Sequence, residues 1–297
     1  MKPILMDNAF ESWAAAIRYC NDIKGGKATL QYQKNFVSSL HNAVELIMKQ
    51  MLLNNNNRDV AWVRKRKDKV KAKLSQDYSN ATDLNRFFTT LSDEELSKFE
   101  TIHFNDLIEL HQDLFGKNLM KGTSFESELS LLQKLRNNET HFFIRQGSFL
   151  SEENFLELHN FMIRFYKIVK SWWSEDGNDL EQSIFLWWDW FSPDKDDNTY
   201  RFECEPLQDF SYESAVRNSK LAKDIVEILK GNHQCGAPNF SPYDIAFNLI
   251  NEHNGLSAPF DEVLAIVYMM QSLKIIIVDE IINDESGEVY STIKILL

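Results

Sequence analysis

The stretch LRNNETHFF, residues 135–143, places an arginine, an asparagine and a histidine within six residues and between apolar side chains. An imidazole can move a proton to or from an oxygen, and a guanidinium can neutralise charge that builds on a phosphate. Arg136 and His141 are therefore candidate catalytic residues, with Asn137 and Glu139 as candidates for orienting or tuning them. The alternative is structural: His141 would be an ordinary helix-end histidine, and Arg136 would pair with Glu139 three residues on.

Apolar residues recur at helical spacing on both sides of this stretch. Phe36, Leu40, Val44, Ile47 and Met51 follow one another at steps of three or four, which predicts a helix with one buried face. Gly25-Gly26 ends the helix before it, and the pattern Ser92-x-x-Glu95 is a capping box. Thr123–Glu126 repeats that device before the motif, and Ser151 caps the next helix. We predict a mainly α N-terminal region with helices over 8–24, 28–53, 58–78 and 92–115, then one from 123 through the motif and one from 151.

The pattern Arg-Asn-x3-His, placed late in an amphipathic helix of such a bundle, resembles the signature of the HEPN family of helical ribonucleases and toxins. The resemblance covers roughly residues 1–175. It implies a homodimer whose two motifs line one cleft, and metal-independent cleavage of RNA by a ribose 2′-hydroxyl to leave a 2′,3′-cyclic phosphate and a 5′-hydroxyl. His141 would be the general acid/base, Arg136 the transition-state stabiliser and Asn137 an orienting group, while Glu139 would tune His141. Family relatives often act as toxins or antiphage effectors, so the resemblance implies that context too.

Helix geometry favours a composite site. At roughly 100° per residue, Arg136 and His141 lie about 140° apart on a straight helix. Either the helix distorts near Asn138, or two chains each contribute one of the two groups. The resemblance implies the second arrangement.

A basic run stands out in a chain of net charge −12. Residues 58–73 hold eight lysines and arginines against two aspartates, a local excess of +6. The run is either a solvated helix face or a contact surface for the RNA backbone. The candidate RNA-binding residues are Arg58, Arg64, Lys65, Arg66, Lys67 and Lys69.

The segment Ser174–Asn178 has the composition of a domain boundary. We predict a HEPN-like bundle over 1–176, an aromatic-rich connector over 177–211 and a small α+β domain over 212–297. The connector contains Trp187, Trp188 and Trp190, which form either a core or interdomain seam, or a base-stacking platform. No lysine or arginine lies among them, which favours the seam.

The C-terminal domain resembles a winged helix. Helices are predicted over 213–230, 242–253 and 260–273, followed by a hairpin with strands at 274–282 and 288–297. Residues 212–297 contain 6 basic and 12 acidic residues, a net of −6, and the candidate recognition helix has no lysine or arginine. Because DNA readout needs cationic contacts to phosphates, DNA binding is disfavoured, and a protein-facing or dimerising role is expected.

Composition excludes several other classes. The longest apolar runs fall short of the ~20 residues that cross a bilayer, a secretory signal is not visible, and the three cysteines are scattered, so we expect a cytoplasmic protein. Phosphate-binding glycine loops and zinc motifs do not occur, and we expect neither cofactor nor metal. His103, His111 and Asp106 are read as surface residues rather than as a metal site.

Three functions remain open at this stage. The first is an endoribonuclease with RNA as substrate. The second is a catalytically silent HEPN-like scaffold or regulatory module that binds a protein partner or an antitoxin through the C-terminal domain. The third is a DNA-binding regulator, which rests on the winged unit alone.

Overall fold

The computed structural model describes residues 5–63, 69–115, 124–140, 149–175, 205–231, 241–251, 256, 258–282 and 289–296. In this part of the chain the protein is mainly α-helical, as predicted, with two small antiparallel sheets. None of the helices among these residues is both long enough and apolar enough to span a membrane. The residues form two compact units, one of 1–18 and 34–207 and the other of 19–33 and 208–297. The predicted domain bounds stay predictions, and most of the 177–211 connector, with its tryptophans, lies outside the described residues.

Long helices dominate the first unit. The helices in chain order are α1 (Met6–Lys24), α2 (Leu30–Asn54), α3 (Lys69–Asn80), α4 (Leu84–Thr89), α5 (Asp93–Leu96), α6 (Phe104–Phe115), α7 (Glu126–Thr140) and α8 (Glu152–Glu175). A 3₁₀ turn at Arg58–Val60 precedes strand β1 (Ala61–Val63), which pairs with β2 (Phe99–Thr101). The predicted capping box is present, since Ser92 and Glu95 exchange hydrogen bonds at the start of α5. Ser151 also caps α8 as predicted, by accepting from the amide of Asn154 at 3.1 Å. At α7 the Ser124 hydroxyl accepts from the Glu126 amide, while Thr123 lies outside the described residues.

Two predicted helices of this unit are wrong in part. Residues 61–63 are a strand rather than helix, and the helix that starts after Ser92 ends at Leu96 instead of continuing through Phe99. The reason is a pairing between distant segments: Ala61 lies opposite Thr101, and Val63 lies opposite Phe99. The backbone hydrogen bonds of this short ladder outweigh the local helical pattern.

The core of the first unit is rich in aromatic rings. Phe125, directly before α7, packs edge-on against Phe115 of α6 and Phe161 of α8, with ring centroids 5.7 and 5.3 Å apart. On α2 the predicted apolar stripe is buried, and its Phe36 contacts Phe155 of α8 at 5.6 Å. These contacts fix α7 against its neighbours and hence set the direction of its polar face.

As far as the structure describes it, the second unit consists of four helices and a hairpin, together with residues 19–33. Its elements are α9 (Tyr212–Asn218), α10 (Lys220–Gly231), α11 (Pro242–Asn251), α12 (Phe260–Ser272), β3 (Ile276–Ile282) and β4 (Val289–Ile295). The predicted helix 213–230 is two helices, because the chain breaks at Ser219, whose ψ of 129° is not helical. The hairpin is confirmed, with Ile276 opposite Ile295 and Ile282 opposite Val289. Its predicted turn at 283–287 lies outside the described residues.

Gly26 ends α1 in the left-handed conformation, as the Gly25-Gly26 pair predicted. Its φ is +93°, and the amides of Gly26 and Lys27 bond back to the carbonyls of Ile23 and Asp22. This is the hydrogen-bond pattern of a helix C-terminus that favours glycine. A Cβ atom at Gly26 would lie 2.9 Å from the Cα of Val216. Both the backbone conformation and the space therefore require glycine.

Replacing Gly26 by alanine is expected to lower the free energy of unfolding by about 1–3 kcal/mol, through backbone strain and the contact with Val216. The loss is measured by urea denaturation. Gly25→Ala is the matched control, since its Cβ would lie no closer than 3.3 Å to its neighbours. Equal losses in the two variants would contradict this account of the turn.

Candidate active site

Helix α2 carries three polar side chains in one row. His41, Glu45 and Lys49 follow at intervals of four, so they lie one above another on the same helix face. The Lys49 ammonium forms an ion pair with Glu45 and donates to the Thr101 hydroxyl of β2 at 3.0 Å. Both His41 and Lys49 are buried. The row is therefore held inside the protein rather than displayed on a solvated face.

Helix α7 presents a second polar row opposite the first. Gln133, Arg136 and Asn137 lie three and four residues apart, and hence on one side of α7. The side-chain oxygen of Gln133 is 2.8 Å from Nε2 of His41, which joins the two helices. Both rows line one cavity of about 560 Å³, and residues 99–104 of β2 and the start of α6 complete its wall.

His41 is fixed in orientation and in tautomer. Its ring lies against Phe104, with centroids 4.1 Å apart and an interplanar angle of 32°. A side-chain amide oxygen only accepts hydrogen bonds, so Nε2 of His41 is the protonated nitrogen that donates to Gln133. The other nitrogen, Nδ1, lies 3.6 Å from the carboxylate of Glu45 and is the basic atom of the neutral ring.

Burial lowers the pKa of His41 below its ordinary value of 6.5. The bond to Gln133 and the charge of Glu45 act in the opposite direction, whereas the charges of Arg136 and Lys49 also lower the pKa. The balance keeps the imidazole neutral, and therefore able to accept a proton, at neutral pH. Arg136 lines the same cavity as this ring.

The structure describes the side chains of two of the four predicted catalytic residues. Arg136 is half-buried and Asn137 is exposed, and both line the cavity. Glu139 lies near the end of α7 with its side chain outside the described residues, and His141 lies wholly outside them. The roles of all four residues stay predictions.

Of the six predicted RNA-binding residues, the structure describes the side chain of Arg58. Arg58 donates to the carbonyl of Ala81 at 2.8 Å, and the Arg58 carbonyl accepts from the Tyr78 hydroxyl. Arg64, Lys65, Arg66 and Lys67 lie outside the described residues, as does the side chain of Lys69. Arg58 thus holds the segment before α4 in place, and RNA contact by the run stays a prediction.

The prediction that His103 and His111 are both surface residues is wrong for one of them. His103 is exposed, but His111 is buried, with Nε2 2.9 Å from the Ser124 hydroxyl and Nδ1 close to the Ile108 carbonyl. His111 is a core residue that links α6 to the start of α7, and the prediction of a surface histidine was wrong. Among the described residues, no group of three His, Cys, Asp or Glu side chains is arranged to hold a metal ion.

Sequence reasoning missed the α2 row and Gln133. Spacing of four between a histidine, a glutamate and a lysine is also typical of exposed helix faces, where it stabilises the helix through ion pairs. One signal was available, namely that α2 carries apolar residues on more than one side of this row, including Leu40, Ala43 and Met48. A helix with apolar residues around most of its circumference is buried, and so are the polar residues among them.

No protein-family model matches this chain, and neither a curated protein nor a solved structure was found to be similar to it. Chemically, the cavity offers a neutral imidazole, a guanidinium, an ammonium paired with a carboxylate, and two side-chain amides.

Proposed function

We propose that this chain is a metal-independent endoribonuclease of the HEPN type, which cleaves RNA at a site shared by two subunits. One observation carries the proposal. Arg136 and Asn137, which the motif selects, line a cavity of about 560 Å³ together with other polar and charged side chains. A phosphodiester needs this kind of surface, with a planar cationic group to bind its oxygens and neutral groups to move protons.

The proposed reaction is an in-line attack of a ribose 2′-hydroxyl on the adjacent phosphorus. The bond from the 2′-oxygen to phosphorus forms, and the bond to the 5′-oxygen of the next nucleotide breaks. Arg136 stabilises the negative charge on the phosphoryl oxygens, and His141 transfers a proton at one of the two ribose oxygens. The products are a 2′,3′-cyclic phosphate and a 5′-hydroxyl.

Several finer assignments belong to the same proposal. The first 176 residues form a HEPN-like bundle, the last 86 form a winged-helix-like domain, and the protein works as a cytoplasmic homodimer. The basic run that begins at Arg58 contacts the RNA backbone, and cleavage serves a toxin or antiphage role. They are supported by the resemblance of the Arg-Asn-x3-His pattern and by the mainly helical fold.

Purified protein incubated with single-stranded RNA and EDTA tests the proposal. Expected are RNA fragments with 2′,3′-cyclic phosphate and 5′-hydroxyl ends, identified by mass spectrometry, and their loss in the Arg136→Ala/His141→Ala double variant. The same cleavage rate in the wild type and the double variant would refute the proposed function.

A second candidate function is a catalytically silent, partner-binding module. It is favoured by exposed aromatic side chains on the second unit, where Tyr243 and Phe247 of α11 stack on each other and are each at least half exposed. Asp244 of α11 is among the 12 acidic residues of a segment of net charge −6, so the partner that fits best has a basic surface around an apolar patch.

If this candidate is correct, a protein partner binds the Arg136→Ala/His141→Ala variant with the same affinity as the wild type. The same partner is expected to lose its affinity for a Tyr243→Ser/Phe247→Ser variant. Isothermal titration with the purified partner measures both affinities. RNA cleavage by the wild type that depends on Arg136 would exclude this candidate.

A further inference from the structure

Two helices of one chain bring an imidazole and a guanidinium to the same cavity. His41 of α2 and Arg136 of α7 both line it, and Gln133, one turn before Arg136, bonds to the His41 ring. The cavity is large enough for a nucleotide-sized group. An acid/base group and a charge-stabilising group thus meet without His141.

The ring of His41 is arranged to accept a proton. Nε2 is committed to donating to Gln133, which leaves Nδ1 as the basic atom, and Phe104 fixes the plane of the ring. Glu45 lies 3.6 Å from Nδ1, where its carboxylate would stabilise the imidazolium that forms when the proton arrives.

The charges around His41 come from each wall of the cavity. Glu45 and Lys49 lie on the same helix as His41, and Arg136 lies on α7. Glu100 and His103 line the cavity from the wall formed by β2 and the start of α6. Because Glu45 is paired with Lys49, its carboxylate is partly neutralised and opposes a bound phosphate less strongly.

We propose that His41 is a catalytic residue of the Arg136 site and acts as the general base toward the 2′-hydroxyl of an RNA strand bound in the cavity. This inference rests on the proposed endoribonuclease function. The 2′-oxygen gives its proton to Nδ1 of His41 and forms its bond to phosphorus, while Arg136 holds the phosphoryl oxygens. The bond from phosphorus to the 5′-oxygen breaks, and that oxygen takes a proton from the general acid of the proposed function.

Cleavage of a fluorescent single-stranded oligoribonucleotide in EDTA, followed from pH 5 to pH 9, tests the role of His41. The His41→Gln variant is expected to lower kcat/KM by about 10²–10⁴-fold and to lose the acidic limb of the pH profile, which reports protonation of the base. His159→Gln is the matched control, because His159 is a buried histidine of α8 that does not line this cavity. It is expected to keep the pH profile of the wild type.

The outcomes separate this inference from the function on which it rests. If the wild type does not cleave RNA, the proposed function is refuted and the role of His41 falls with it. If the wild type cleaves and His41→Gln has the same kcat/KM and acidic limb, only the role of His41 is refuted.

A second measurement is independent of activity and of the folding of His41→Gln. The ring protons of His41 are titrated by NMR in the wild type and in Arg136→Gln. Loss of the guanidinium is expected to raise the pKa of His41, since Arg136 lowers it. Identical titration of His41 in the two proteins would overturn the assignment of His41 and Arg136 to one site.

Discussion

Replacement of Arg136 by alanine is expected to lower the rate constant of RNA cleavage by about 10²–10³-fold, the usual effect of removing one group that stabilises transition-state charge. Arg136 lines the cavity opposite the α2 row, and its guanidinium is a planar fork of N–H donors that would fit a phosphate group. The measurement is a single-turnover cleavage assay with excess enzyme in EDTA, so that weaker RNA binding does not mask the chemical step.

Two further variants sharpen this prediction. Arg136→Lys keeps the charge but loses the bidentate fork, so a partial loss of rate is expected, smaller than that of the alanine variant. Lys134→Ala removes an exposed cation from the same helix that does not line the cavity, and its rate is expected to match the wild type. Similar losses in Lys134→Ala and Arg136→Ala would mean that α7 contributes only general positive charge.

Replacement of Arg164 by methionine is expected to reduce the free energy of unfolding by about 3 kcal/mol, the lower end of the range for breaking a buried ion pair. Glu128 of α7 is buried and pairs with the guanidinium of Arg164 of α8. The same guanidinium lies 5.4 Å above the ring of Phe125. Without Arg164 the Glu128 carboxylate stays buried without its cation, while the 42% exposure of the Arg164 side chain lets water offset part of that cost.

Urea denaturation of three variants tests the role of this ion pair. The double variant Glu128→Leu/Arg164→Met is expected to recover most of the loss, because it removes the buried charge as well as its partner. Lys98→Met breaks the pair with Glu94, whose carboxylate is 84% exposed and keeps its hydration, and is expected to cost less than about 1 kcal/mol. A loss for Lys98→Met as large as for Arg164→Met would contradict the explanation by burial.

The long helices could be predicted because their apolar stripes are local signals. On α2 the residues at steps of three and four are buried as expected, and the capping box at Ser92 marks the start of α5. Strands β1 and β2 could not be predicted, because each has three residues and its partner lies about forty positions away along the chain. A segment of three residues fits helix and strand equally well.

The candidate site shows the same difference between local sequence signals and contacts of distant segments. Arg136 and Asn137 were predicted because they belong to a local motif; they line the cavity, and their roles stay predictions. His41 was missed because its partner Gln133 is 92 residues away, and only the packed fold brings the two side chains together. Buried polar pairs between distant helices leave no signal in local spacing, so a site built from them becomes visible only in the folded protein.

The proposed sharing of one site by two subunits can be tested most directly by complementation. Arg136→Ala and His141→Ala chains, each with its own affinity tag, are co-expressed, and the mixed dimer is isolated by two successive purifications. The account predicts that the mixed dimer regains up to about half of the wild-type cleavage rate, because one intact Arg136 then meets one intact His141 across the interface. A mixed dimer as inactive as either parent, while a doubly tagged wild-type dimer prepared in the same way cleaves RNA, would contradict it.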